Sequence, residues 1–78
     1  MKDNNMTFMH NLKRIRRSKG LSQKDLADKT GLTIRIISYY ENEAVSPPID
    51  KINIIANSLG VTVSDLLDDK ISKKIKSV

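Results

Sequence analysis

The chain has 78 residues and a formal net charge of +5. That length allows one small domain with a modest core, and the absence of cysteine excludes disulfides and thiolate metal ligands. No apolar run is long enough to span a membrane, and residues 1–11 lack the apolar core of a signal peptide. We therefore expect one cytoplasmic domain, closed by the packing of helices.

Charge is distributed unevenly along the chain. Residues 1–20 carry six Lys or Arg and one Asp, and residues 70–78 carry four Lys and no acid. Between them, residues 21–42 are balanced and residues 43–69 carry five acids and one Lys. This polarisation favours a polyanionic partner, since a polarised molecule is steered toward a polyanion better than a uniformly charged one.

The first predicted helix runs from about Thr7 to Lys19, after residues 1–6, which show no periodicity and are expected to be a flexible leader. Its apolar stripe, with spacings of four and three, consists of Phe8, Leu12 and Ile15. Gly20 then ends the helix. Three basic residues lie off this stripe and are either a solvated face or phosphate contacts: Lys13, Arg14 and Arg17.

The stretch from Leu21 to Asn42 is predicted to be two helices joined by a tight turn at Gly31, where glycine takes positive φ without steric cost. The first helix of the pair runs from about Gln23 to Thr30. Ser22 is its predicted N-cap, because a serine hydroxyl accepts from a free amide in the first turn. Its buried face is formed by Leu26 and Ala27.

The second helix of the pair is predicted from Thr33, its N-cap, to about Asn42. Ile37 and Tyr40, three residues apart, form its buried face. The side chains most nearly opposite are Ile34, Arg35, Ser38 and Tyr39. This outer face has no acid and exposes apolar groups, which favours contact with a polyanionic and partly apolar surface such as DNA.

Two further helices are predicted after Pro47 and Pro48, which stop a continuing helix and suit the start of the next. The fourth helix has a stripe that consists of Ile49, Ile52, Ile55, Ala56 and Leu59, and Gly60 closes it. The short fifth helix contains Val63, Leu66 and Leu67. Residues 7–69 are thus expected to form an all-α domain of five helices, without strands.

Residues 70–78 are a basic tail in which Ile71, Ile75 and Val78 are spaced by four and three with lysines between them. The tail is either frayed or a sixth amphipathic helix that packs on the domain or on a second subunit. Ile54 projects opposite the stripe of the fourth helix. With the apolar residues of the tail it would form a patch that suits a dimer or a partner protein.

The whole pattern resembles the helix-turn-helix family of phage repressors and Cro proteins, which includes many small bacterial regulators. The resemblance covers about residues 8–68. The residues that carry it are Leu12, Ile15-Arg16 and Gly20, then LSQKDLADKTGL, IISYYEN, Pro47, Ile52, Ile55-Ala56 and LGVTVSDLL. It implies a five-helix, lambda-repressor-like DNA-binding domain in which helices 2 and 3 are the helix-turn-helix, in a cytoplasmic, nucleoid-associated protein of bacterial or phage origin.

The resemblance also implies that helix 3 lies in the major groove, while helix 2 crosses the DNA backbone with Gln23 against a phosphate. The candidate DNA-binding residues are Lys13, Arg14, Ser22, Gln23, Thr33, Ile34, Arg35, Ser38 and Tyr39. Arg35 suits a bidentate contact to guanine, a phosphate contact or an ordinary surface position, and Ile34 suits a thymine methyl. Arg16 and Glu41 stand where the family pairs an arginine with a glutamate, and we expect a partly buried structural ion pair.

Two positions depart from the family pattern. Glu43 stands where a glycine is usual, so Asn42 is expected to take positive φ in its place. Ile34 stands where glutamine or a short polar residue is usual, which favours apolar recognition of a site that contains thymine.

Enzyme chemistry is not expected. His10 has no second histidine or cysteine with which to build a metal site or a nucleophilic triad, Asp68-Asp69 is an isolated acidic pair, and there is no glycine-rich phosphate loop. We expect a cofactor-free, sequence-specific regulator of transcription that binds double-stranded DNA, a repressor that acts as a homodimer on a palindromic operator. The alternatives are an antitoxin-like regulator whose tail binds a partner protein, and a fold used only for protein contacts.

Overall fold

The computed structural model describes residues 4–68, with side chains from Thr7 onward. Within this range the chain has no strand and forms five helices: α1 Asn4–Ser18, α2 Gln23–Thr30, α3 Ile34–Asn42, α4 Ile49–Leu59 and α5 Val63–Leu67. The predicted all-α fold is confirmed, and the helix-turn-helix is formed by α2 and α3. The predictions for residues 1–3 and for the tail, residues 70–78, lie outside the described residues.

Two helices begin at a different residue from the one predicted. α1 begins at Asn4, so residues 4–6 of the predicted leader are helical. They lack an apolar pattern, but adding a residue to an existing helix gains a hydrogen bond without the cost of a new nucleus. α3 begins at Ile34, one residue late, because Thr33 has the extended backbone of an N-cap (φ −90°, ψ 159°).

Both ends of α2 are capped, the first by side chains and the last by a glycine. The Asp25 N–H donates to the Ser22 hydroxyl, and the Ser22 N–H donates to the Asp25 carboxylate, each at 2.9 Å. The hydrogen bond from the Ser22 backbone lowers the pKa of Asp25 below its ordinary value. At the other end Gly31 takes φ 79° and donates its N–H to the Ala27 carbonyl. The turn between α2 and α3 is therefore short and defined.

The core is a single cluster to which all five helices contribute. Its buried apolar residues are Phe8, Leu12, Ile15, Leu26, Ala27, Ile37, Tyr40, Ile52, Ile55, Ala56, Leu59 and Leu66. α1 packs against α3 and α5, and α2 packs against α3 and α4. This packing leaves the side of α3 that faces away from the core open to solvent.

Two residues of the predicted apolar stripes are exposed. Ile49 is 61% exposed because the first turn of α4 projects from the core, with its neighbours Pro48 and Asp50 also exposed. Leu67 is 41% exposed because Leu66, fully buried, takes the inward position of the short α5, and the next residue points about 100° away.

The predicted positive φ of Asn42 is wrong. Among residues 4–68, positive φ occurs only at glycines. Asn42 remains helical, and the chain leaves α3 at Glu43 in an extended conformation (φ −118°, ψ 142°), with the Glu43 N–H bonded to the Tyr39 carbonyl at 3.0 Å. An extended exit needs neither glycine nor asparagine, which is why Glu43 is tolerated.

A buried asparagine joins α1 to the end of α5. Asn11 is 6% exposed, and its Nδ2 donates to the carbonyl oxygens of Leu66 and Asp68 at 2.9 and 2.8 Å. These are carbonyls that α5, as it ends, cannot bond within itself.

We predict that Asn11→Ala lowers the free energy of unfolding by about 1–3 kcal/mol, because it removes both of these hydrogen bonds, one of which is buried. The matched control is Asn53→Ala, an exposed asparagine inside α4, which should cost less than about 0.5 kcal/mol. Urea unfolding followed by circular dichroism measures both. Equal losses in the two variants would contradict the role of Asn11.

Candidate nucleic-acid interface

α3 has two faces of opposite character. Ile37, Tyr40 and Glu41 are buried against the rest of the domain. The other face is open to solvent, with Ser38 half-buried and four residues exposed: Thr33, Ile34, Arg35 and Tyr39. The predicted orientation of α3 is therefore confirmed, and the five residues predicted to face DNA share one accessible surface, which we call the outward face.

Arg35 is the positive charge of the outward face. Its guanidinium is exposed, and no acid pairs with it among the residues that the structure describes. The acid of α3, Glu41, is 1% exposed and lies on the opposite side. The outward face is therefore cationic, and its guanidinium can donate to an anion or to a base edge.

Two hydroxyl groups of the outward face already have partners within the protein. The Ile36 N–H donates to the Thr33 hydroxyl at 3.1 Å, which caps α3. The Asn42 side-chain amide donates to the Ser38 hydroxyl at 3.0 Å. Each hydroxyl accepts a hydrogen bond here, so it can still donate its own proton to a ligand.

Beneath this surface lies a buried ion pair. The Arg16 guanidinium binds both carboxylate oxygens of Glu41, through Nε to Oε2 and through Nη2 to Oε1, the latter at 2.9 Å. Arg16 also donates through Nη1 to the Leu21 carbonyl at 2.7 Å. The hydrogen bond with Glu41 raises the pKa of Arg16 above its ordinary value, against the opposing effect of desolvation. The predicted structural pair is confirmed and is more deeply buried than expected.

The same carboxylate holds Gln23. The Gln23 Nε2 donates to Glu41 Oε1 at 3.1 Å, so the amide at the start of α2 is tied to the end of α3. One N–H of the Gln23 amide is left to donate to a phosphate. Sequence reasoning missed this bond, because it joins residues 18 apart and no spacing rule links them.

The remaining predicted DNA contacts, at Lys13, Arg14 and Ser22, lie outside α3. Two of them, Arg14 and Ser22, already form hydrogen bonds within the protein. Lys13 is half-buried and Arg14 is exposed. The Arg14 Nη2 donates to Asn11 Oδ1 at 3.1 Å, and Asn11 is bonded to the end of α5, so Arg14 is held toward α5 rather than beside α3. Ser22 is exposed, and its hydroxyl accepts the capping bond of α2.

The described residues contain no cluster of three or more His, Cys, Asp or Glu side chains that could hold a metal ion. His10 is exposed on α1. No helix in this part of the chain is long and apolar enough to cross a membrane.

Comparison with known proteins identifies the family. The helix-turn-helix family model matches residues 12–66, which is most of the chain and includes all of α2, α3, α4 and most of α5. The chain belongs to this helix-turn-helix family, of the Cro and phage-repressor type.

Three curated relatives are named as helix-turn-helix transcriptional regulators. YqaE of Bacillus subtilis is 34% identical over 68 residues, which cover 87% of this chain and 59% of that protein. YobD of Bacillus subtilis is 30% identical over 73 residues, covering 86% and 65%. DdrOP3 of Deinococcus deserti is 29% identical over 63 residues, covering 81% and 49%. The chain thus spans about half to two thirds of the length of these relatives.

A solved structure has the same fold. The crystal structure of the hypothetical transcription factor NHTF from Neisseria superimposes with a TM-score of 0.86 at 28% identity, covering 97% of this chain and 86% of that one. The arrangement of helices described above is therefore that of a helix-turn-helix protein.

We predict that Glu41→Ala lowers the free energy of unfolding by about 3–5 kcal/mol, because it leaves the buried Arg16 guanidinium without a counter-charge. The control is Asp28→Ala, which removes the exposed ion pair with Lys24 and should cost less than about 1 kcal/mol. Urea unfolding compares the two. A loss for Glu41→Ala no larger than that for Asp28→Ala would show that the buried pair does not hold the domain together.

Proposed function

We propose that this protein is a transcriptional repressor that binds double-stranded DNA in a sequence-specific manner, as a homodimer on a palindromic operator, with α3 in the major groove. The outward face of α3 carries the proposal. It is accessible, cationic and partly apolar, while the acid of the same helix is buried and neutralised by Arg16. A surface of this composition suits the major groove, which offers acceptors and methyl groups between two rows of phosphates.

The side chains of α3 have definite chemistry for this groove. An α-helix with its side chains is about 10–12 Å across, and the major groove is about 12 Å wide. Arg35 is suited to bind O6 and N7 of one guanine through two parallel hydrogen bonds. Tyr39, 48% exposed further along the helix, is suited to donate its hydroxyl to a phosphate.

The start of α2 supports a contact with the DNA backbone. A helix N-terminus favours an anion, and Gln23 at this end keeps an N–H that Glu41 does not use. Because Glu41 belongs to α3, a phosphate bound by Gln23 is held in a fixed position relative to the recognition helix. This arrangement positions α3 in the groove without itself reading sequence.

Dimerisation follows from the size of a single helix-turn-helix unit. One such module buries too little surface for tight and selective binding, and two-fold pairing places two recognition helices about 34 Å apart, one turn of DNA. A dimer that covers such an operator also excludes other proteins from it, which is the basis for proposing repression.

We predict that Arg35→Ala flattens the preference among operator variants, whereas Lys13→Ala weakens binding to all sequences alike. The loss of one bidentate contact removes about 1–3 kcal/mol of discrimination. Fluorescence anisotropy measures binding to duplexes selected from a random pool, and for the unmodified protein log K should fall linearly with log salt. Equal losses on every duplex for Arg35→Ala would contradict its role in base recognition, and no duplex affinity at low salt would overturn the proposed function.

We also predict that the spacing between half-sites controls affinity. Inserting about five base pairs, half a helical turn, should reduce binding to that of a single half-site, because one recognition helix then meets the wrong side of the duplex. Sedimentation of the free protein and of the complex gives the stoichiometry. Binding of one chain per selected duplex, insensitive to the insertion, would contradict the homodimer and leave DNA binding in place.

A further inference from the structure

Ile34 is an exposed apolar side chain at the start of the recognition helix. It is the first residue of α3, directly after the N-cap Thr33, and is 46% exposed. The packing of α3 on the core is carried by Ile37 and Tyr40, with Ile36 partly buried against them. Ile34 is therefore not among the residues that pack α3 on the core. It lies at the end of the helix that contacts base edges in this class of protein.

We propose that Ile34 recognises the C5-methyl group of a pyrimidine in the major groove, so that the protein binds thymine or 5-methylcytosine at one position of each half-site more tightly than uracil or cytosine. The inference rests on the proposed function and names the base feature that this position reads. Thymine is the one standard base with a methyl group in the major groove, and apolar side chains select it by contact. Methylation of cytosine at C5 places a methyl group on the same edge.

The neighbouring side chains leave this role to Ile34. The hydroxyl groups of Thr33 and Ser38 already accept hydrogen bonds within the protein. Arg35 suits the hydrogen-bond acceptors of guanine. Its charged guanidinium gains little from contact with a methyl group. At the N-terminal end of α3, Ile34 is therefore the large exposed apolar side chain.

Tyr39 is the other large exposed side chain of the outward face, and its geometry is less suitable. Its ring lies 6.1 Å from that of Tyr40 between centroids, so one side already has an aromatic neighbour. It also lies five residues further along the helix, away from the end that reads bases.

The test removes one methyl group at a time from the DNA. In a duplex selected from a random pool by the unmodified protein, each thymine is replaced singly by deoxyuridine, which changes only the C5 substituent. We expect one thymine per half-site at which this change weakens binding about fourfold, the value of one buried methyl group. Replacing that T·A pair by C·G and by 5-methylcytosine·G should show tighter binding for the methylated pair.

The matching protein variants are Ile34→Ala and the control Ile49→Ala. Ile49 is also an exposed isoleucine at the first position of a helix, α4, and circular dichroism checks that both variants fold. Ile34→Ala should bind the thymine and uracil duplexes equally, whereas Ile49→Ala should keep the fourfold ratio. If the ratio persists in Ile34→Ala, or if no thymine is sensitive in the unmodified protein, the inference fails while DNA binding stands. If no duplex is selected, the proposed function itself fails.

Discussion

The buried pair between Arg16 and Glu41 fixes the geometry on which the rest of the molecule depends. The guanidinium lies between α1, the carbonyl of Leu21 in the following turn, and the end of α3. The carboxylate in turn binds Gln23 at the start of α2. Two charges removed from water are costly unless their remaining hydrogen-bonding capacity is used, and here each has partners on more than one side. One interaction thus sets the positions of three helices relative to one another.

The same pair determines the charge of the surface. α3 contains one acid and one base, and a helix that exposed both would present no net field to a polyanion. Because Glu41 is buried against Arg16, the exposed charge of α3 is that of Arg35. Burial of the carboxylate therefore removes a negative charge from the surface proposed to contact DNA, which favours the approach of a polyanion.

Local signals in the sequence predicted the helix-turn-helix well. The Arg16–Glu41 pair was expected from the resemblance to a family, whereas other contacts between distant residues could not be predicted. Ser22, Gly31 and Thr33 act within a few residues of themselves, so caps and turns were readable from the sequence. The periodicity of Ile37 and Tyr40 was sufficient to orient α3. The bonds from Asn11 to Leu66 and from Gln23 to Glu41 span 55 and 18 residues, and depend on how the helices pack. The exposure of Ile49 also depends on how the helices pack. An apolar stripe on one helix does not show how far along it the neighbouring helices extend.

The buried face of α3 contributes to the stability of the domain. Under the proposed function, its exposed face determines which DNA sequence is bound. Ile37 and Glu41 are almost fully buried, so substitution there creates a cavity or an unpaired charge and threatens the whole small domain. Ile34, Arg35 and Tyr39 are exposed, and substitution at exposed positions costs little stability. Selection can therefore change the outward residues one at a time while the fold is retained. An isoleucine where the family usually has a polar residue is compatible with the unchanged helix, and under the proposed function its effect falls on the choice of DNA sequence.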